Sequence, residues 1–361
     1  MKKTLLLSLL FAVTCFCQSD GNGTWNYLQP KSYIVYRTST PIIIDGIANE
    51  PAWKLAAWTD DFVDIEGTNK PRPNLRTRVK MLWDNNYFYF YAELEEPNVW
   101  GNIKDRDAVI FQNNDFEIFL KPYTEYPHYC EFEINALNTV WDLLLMNAYR
   151  EDGPIINNWN IEGLRTAVHV NGTINDPTDK DKGWSVEIAI PRYSLNELKF
   201  KSRKVEVPEV WRINFSRVEW DYQIKNGKYD RKKDNSRKLL PEHNWVWSPQ
   251  GVIDMHQPEF WGYVKFSNKR ASTDKFTPDP DDAIIQALFY LYKKEKEYLK
   301  INGRYTSNVK KLQALKFVFN NKVYKPFIVF TNFGYEIIFD INYKKMKYVI
   351  NEKGFIKKIK Y

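Results

Sequence analysis

Cysteine and histidine are scarce in this chain, and beyond its first residues it has no long apolar run. Three of 361 residues are Cys, at positions 15, 17 and 130. Two of these fall in a leader-like start, which leaves Cys130 alone in the mature chain. An intramolecular disulfide is thereby excluded, and stability has to come from a packed core. Cys130 alternates with apolar neighbours and reads as a small buried hydrophobe rather than a nucleophile. The four histidines, His128, His169, His243 and His256, are scattered without the spacing of a metal site. Glycine-rich phosphate loops and nucleophile-elbow serines are missing too, so the common signatures of nucleotide and acyl-transfer chemistry are not there. No segment past the leader is apolar for long enough to span a bilayer as a helix.

What is present begins with that leader. Lys2 and Lys3 precede an apolar stretch at 5–13 and then small residues. This is the pattern of a secretory signal over residues 1–17, with Gln18 first after cleavage. The expected location is therefore secreted, periplasmic or cell-surface. Lipid attachment at Cys15, after Ala12-Val13-Thr14, is the alternative, and Thr14 fits that pattern poorly.

Charge and aromatic content divide the rest. Residues 268–361 carry 20 Lys and Arg against 9 Asp and Glu, whereas the remainder carries 32 against 36. All 13 Trp lie between Trp25 and Trp261. Two compositions imply two domains, a main body over 33–267 and a basic unit over 283–361, joined by a polar, proline-bearing linker over 268–282. The basic excess could meet an acidic glycan or a membrane surface, or simply be a solvated face. It comes with no nucleic-acid-binding motif.

Strand signals recur through the body. Residues 78–83 and 87–93 flank Asp84-Asn85-Asn86 and predict a hairpin. Residues 184–190 and 211–217 alternate in the same way, and Pro191 stops the first of them. The fold class predicted is an all-β antiparallel β-sandwich. The tail predicts a small α+β unit with a helix from Ala283, which acids precede and lysines follow, in the sense the helix dipole favours.

Two strands carry the chemistry. Residues 114–120 place Phe116, Ile118 and Leu120 on one face and Asp115 and Glu117 on the other. Residues 129–135 place Cys130, Phe132 and Ile134 opposite Glu131, Glu133 and Asn135. Such a face, beside aromatic rings, suits a sugar, whose hydroxyls need acceptors and donors and whose C–H faces need flat apolar partners. The plainer reading is that the acids keep an exposed sheet face soluble.

Several segments, read in order, resemble the family 9 carbohydrate-binding modules. They are Pro41 to Trp53 with Asp45-Gly46 and Glu50, the hairpin from Arg78 to Tyr89, the strand from Asn114 to Leu120, Gly183 to Pro191, and Trp245 to Gly262. The likeness covers about 34–266 and none of the tail. It implies a β-sandwich that binds a sugar or the end of a glycan between two aromatic rings, often in the company of glycoside hydrolases. By motif position it matches Phe111 to the first ring and Glu117 and Asn135 to polar ligands. Glu133 stands where better-known members have arginine, and Met255, beside His256, stands where a second ring is expected. Trp100 could supply a ring from a loop edge or pack beneath that loop. The family can carry structural calcium, for which Asp176, Asp179 and Asp181 are compositional candidates, though a plain turn is the simpler reading of them.

The expected function is an exported, non-catalytic carbohydrate-binding protein with an oligo- or polysaccharide partner, serving polysaccharide breakdown. No catalytic residue and no cofactor other than structural calcium is assigned. Two alternatives stay open. One is a glycoside hydrolase or lyase that pairs Glu117, Glu131 or Glu133, with Asp115 available. The other is an envelope protein whose sandwich has lost its ligand.

Overall fold

The computed structural model describes residues 23–122, 126–151, 153–199, 209–312 and 315–361, so the leader with Cys15 and Cys17 lies outside the described residues. The body is built from β1 (Ser32–Arg37), β2 (Val63–Asp64), β3 (Thr77–Trp83), β4 (Tyr87–Leu94), β5 (Asp115–Lys121), β6 (Tyr129–Asn135), β7 (Val140–Leu145) and β8 (Ile155–Ile156). It continues with β9 (Arg165–Asn171), β10 (Gly183–Pro191), β11 (Val210–Glu219), β12 (Tyr222–Lys225), β13 (Lys228–Arg231), β14 (His243–Val246) and β15 (Gly262–Ser267).

All but the β12–β13 hairpin join one hydrogen-bonded path in the order β8-β7-β6-β5-β11-β15-β1-β3-β4-β10-β9, with β14 attached at β11 and β2 at β14. The path folds over at β1, which pairs parallel with β15 through residues 32–36 and then with β3 at Tyr36 and Arg37. Apart from those two seams the pairings are antiparallel. The β5–β6–β11 half and the β3–β4–β10 half then face each other as a β-sandwich.

Period-two alternation fills the space between them. Phe116, Ile118, Phe132, Ile134 and Phe215 from one half share a core with Met81, Phe88, Phe90, Val186 and Ile188 from the other. Phe215 sits at the centre, stacked on Phe116 at 5.9 Å and edge-on to Phe90 at 5.9 Å. Each such aromatic pair adds about 0.5–1.5 kcal/mol beyond its buried area. Cys130 lies in this core, and burial drives its thiol pKa up.

Local chemistry sets the turns. Between β3 and β4, Asp84 Oδ1 accepts the N–H groups of Asn86 and Tyr87, both at 2.7 Å, as a short Asp turn requires. At Gly46, φ is +88° and a Cβ would stand 2.7 Å from the backbone nitrogen of His169, so only glycine passes. The chain then enters α1 (Pro51–Leu55), whose Trp53 is fully buried.

The tail contributes α2 (Asp282–Asn302), with Asp282 in its first turn, Lys300 in its last and Gly303 capping it at φ +70°. One face of α2 packs on a four-stranded antiparallel sheet of Phe327–Phe330, Tyr335–Ile341, Met346–Asn351 and Ile356–Lys360. Trp25, from before β1, inserts into this tail core against Phe317 and Phe319. The segment between β15 and α2 is tied down. Asp274 binds Lys265, Lys269 and Ser267, and buried Asp282 pairs with buried Arg212 of β11.

Candidate functional site

The outward face of β5 and β6 is not solvated. Asp115, Glu117, Glu131 and Glu133 are at most 5% exposed, so the reading of these acids as a solubilising surface is corrected. Alternation along each strand correctly placed them on the face opposite the core, but it carries no information about what lies on top. Register puts Glu117 beside Glu133, Asp115 beside Asn135 and Phe119 beside Glu131, with Ser216 of β11 opposite Glu117. The cover is the loop part of an apolar cluster, Ile110 and Trp261 with Ile103, Tyr149 and Met255 packed against it, while Phe119, Tyr129, Trp141, Leu143 and Leu145 of that cluster flank the acids on β5–β7.

Two loops form this roof. Residues 101–113 are braced by Asn113 Oδ1, which accepts the N–H groups of Asn102 and Ile103, and end in the short helix Ile110–Gln112. From that helix the backbone N–H of Phe111 donates to Glu133 Oε2 at 2.9 Å, while the Phe111 side chain stays 37% exposed. The second loop, 247–261, is closed by Trp261 Nε1–H and Gln250 Nε2–H, both donating to the Met255 carbonyl. In it the His256 Nδ1 and the Tyr129 hydroxyl share a hydrogen bond of 2.6 Å, and Tyr149 stands edge-on to the His256 ring at 4.5 Å.

The electrostatics follow from burial. Desolvation pushes Asp115, Glu131 and Glu133 well above the usual carboxylate range, and each is pushed further by Glu117. Glu117 itself is pushed up to about 7 by burial. Oxygens of Asp115, Glu117 and Glu133 lie within 4.8 Å of one another.

Sequence-expected residues are partly brought together here. Glu117 and Glu133 form the floor, and Phe111, Met255 and His256 belong to the two covering loops. Asn135 is spent within the protein. Its amide donates to the Ile103 carbonyl and Asn113 Oδ1 and accepts from Leu137 and Thr139 N–H, so it braces a loop instead of reaching a ligand. Trp100 is 2% exposed and stacked near Tyr229 at 6.5 Å, so it packs under its loop and offers no ring at the edge. The calcium candidates do not converge either. Asp181 caps the N–H groups of Val99 and Thr173, and Asp176 closes its own turn with Thr178. Among the described residues, the cation-suited group of carboxylates is Asp115, Glu117 and Glu133. Asp115 and Glu131 were visible in the alternating pattern but lay outside the expected ligand set. Tyr149 carried no sequence signal at all.

Residues 44–203, which include β3 to β10, match the family model described as carbohydrate family 9 binding domain-like. No curated protein matches the chain. Among solved structures, a candidate carbohydrate-binding protein of Bacteroides uniformis is 16% identical, with 66% of this chain and 99% of that one covered at a TM-score of 0.48. A family 9 carbohydrate-binding module of Caldicellulosiruptor kristjanssonii in complex with cellotriose is 16% identical, with 68% and 100% covered at 0.43. The complex of a module of that family and organism with glucose is 15% identical, with the same coverage and a TM-score of 0.43. Over residues 44–203, then, this chain is similar to the carbohydrate family 9 binding domain-like family.

Proposed function

We propose that this chain is an exported, non-catalytic carbohydrate-binding protein that holds a sugar or glycan end at the rim of the β5–β6 face and serves polysaccharide breakdown. The observation that carries the reading is the family match across the strands that present Phe111. The Phe111 side chain is 37% exposed, and its backbone N–H holds Glu133 of the Glu117–Glu133 pair. A flat apolar ring beside polar groups is the minimum a pyranose needs. His256 and Met255, half-buried in the other covering loop, supply the second side. The two solved family 9 modules carry glucose and cellotriose, which makes these the first ligands to try. Export rests on the leader pattern of residues 1–17.

A hydrolase reading draws on one observation, a Glu117 carboxyl pushed up to about 7, as a general acid would need. Burial argues against it. Glu117, Glu131 and Glu133 are at most 5% exposed beneath the covering loops, where a glycosidic bond would have to reach them. Calorimetry of the mature chain against glucose, cellotriose and a glycan panel, beside a reducing-sugar release assay, tests both. Binding without release, weakened at least tenfold in Phe111→Ala, is the expected result. Release of reducing ends overturns it, and silence across the panel leaves an envelope protein without a sugar ligand.

A further inference from the structure

The floor of the β5–β6 face holds four buried carboxylates, and none of them is in an ion pair among the described residues. Burying one charge without a partner is already costly, and four on adjacent strands repel one another as well. Elsewhere this chain gives buried acids a cation. Arg217 holds Glu96 and Glu219, Arg212 holds Asp282, and Lys199 holds Glu209. At the β5–β6 floor the residue facing Glu117 from β11 is Ser216, which has no charge.

Two further observations point to a cation-binding site. Asp115 Oδ2 is buried and has no hydrogen-bond partner. Glu131 lies outside the group of three, is 4% exposed and hydrogen-bonds Glu133, and its Oε2 is likewise buried and partnerless. These are acceptor oxygens without donors in a site that water scarcely reaches, an arrangement native proteins avoid unless an ion or ordered water completes it. The dimensions fit an ion. Two oxygens on opposite sides of a calcium ion at about 2.4 Å stand about 4.8 Å apart. The ligand oxygens of Asp115, Glu117 and Glu133 lie within 4.8 Å of one another. Magnesium, at about 2.0–2.1 Å, asks for a tighter octahedron, and an all-carboxylate donor set does not suit soft metals.

We propose that Asp115, Glu117 and Glu133 bind one calcium-sized divalent cation, with Glu131 alongside as a further oxygen donor. The ion neutralises the floor. It also fixes Glu133, and through the Phe111 N–H bond the short helix that presents the Phe111 ring. The proposal stands apart from the glycan reading, because the unpartnered floor oxygens are the same whether or not a sugar sits at the rim.

The test uses the mature chain stripped with EDTA, then titrated with CaCl2 by calorimetry and with TbCl3 by luminescence sensitised through nearby aromatics such as Trp141, the register partner of Glu133. The expected result is one ion per chain, a higher Tm in calcium than in EDTA, and binding weakened at least tenfold in both Asp115→Asn and Glu133→Gln. Asp176→Asn, in an exposed turn, leaves binding unchanged. No calcium-dependent Tm shift in the wild-type chain overturns the proposal, whatever the variants do. Binding that survives Asp115→Asn, or is lost in Asp176→Asn, overturns the location. Glucose and cellotriose titrations in EDTA and in calcium run beside it, so that sugar binding without any ion effect removes this proposal and leaves the glycan reading intact.

Discussion

Two groups of buried acids lie on opposite sides of β11, and they are built in opposite ways. On the core side of β11, the Arg217 guanidinium bonds Glu96 and Glu219, and also reaches the Thr77 hydroxyl and the Glu95 carbonyl. Asn114 adds a donor to both acids. On the other side, one residue along, Ser216 faces Glu117 and no basic side chain pairs with the four acids among the described residues. The first group is closed by hydrogen bonds, with a donor for each acid, although one cation serves two acids and burial and Glu219 still push Glu96 up to about 9. The second has acceptors to spare: Asp115 Oδ2 and Glu131 Oε2 are buried and unpartnered among four crowded acids, and it is this combination of unmatched acceptors with unpaired charge that suits an ion.

The sharpest way to break this contrast is to make the closed group resemble the open one. Arg217→Met leaves Glu96 and Glu219 buried without their cation and is expected to cost about 3–5 kcal/mol, read as a fall in the urea midpoint. Adding Glu96→Gln to that variant recovers part of the loss. A change below 1 kcal/mol in the single variant would mean that Arg217 is not what makes the closed group tolerable. Glu187 shows a third solution. Its Oε2 accepts the N–H groups of Asp45 and Gly46, and its Oε1 accepts the Trp53 indole N–H, each at 2.9 Å. Glutamine there must turn its NH2 toward a donor, so Glu187→Gln is expected to lose about 1–3 kcal/mol.

In the open group the sign reverses. Glu131→Gln removes one of four crowded acids without changing shape. In EDTA it is expected to stabilise the chain by about 1 kcal/mol, the scale of one unit of pKa shift. In calcium that advantage shrinks or inverts, since the variant has lost a donor to the ion. Thermal melts in the two buffers read both effects. Loss of stability in EDTA would show that Glu131 already has its neutral partner in the folded protein.

How far the sequence spoke differs between the two groups for the same physical reason. Alternation in 114–120 and 129–135, the Asp84-Asn85-Asn86 turn and the Pro191 stop are local signals, and each has its counterpart in β3–β6 and β10. Burial of Asp115, Glu117, Glu131 and Glu133 is a non-local fact. It depends on Ile110, Tyr149 and Trp261 arriving from loops whose paths are set by Asn113, Asn135 and Gln250. Asn135 was expected at the ligand because its strand position is right, yet its amide is consumed by backbone groups that no periodicity reveals. The parallel seams of β1 and the insertion of Trp25 into the tail core were equally hidden, because both join segments far apart in the chain.

A last buried acid, in the tail, tests on a small scale whether burial without a cation is enough to disturb an acid. Glu295 of α2 accepts the Thr306 N–H through Oε2, while its Oε1 is buried without a partner, and burial pushes it up to about 7. Tyr335, whose hydroxyl is also buried and unpartnered, is pushed up by burial and next by Glu295. Because the folded-state value lies above the ordinary 4.5, the protonated form is the one the fold favours. That contribution is complete below about pH 4.5, declines as pH rises toward 7 and is gone above it. Glu295→Gln stays neutral throughout. Its melting curve should therefore coincide with wild type near pH 4 and lie above it by pH 8, with the gap opening between those values. Parallel offsets at pH 4, 6 and 8 would place the cause in packing. A gap that opens with pH would assign it to the proton, and would show that an acid buried without a cation is disturbed even where no ion site is formed.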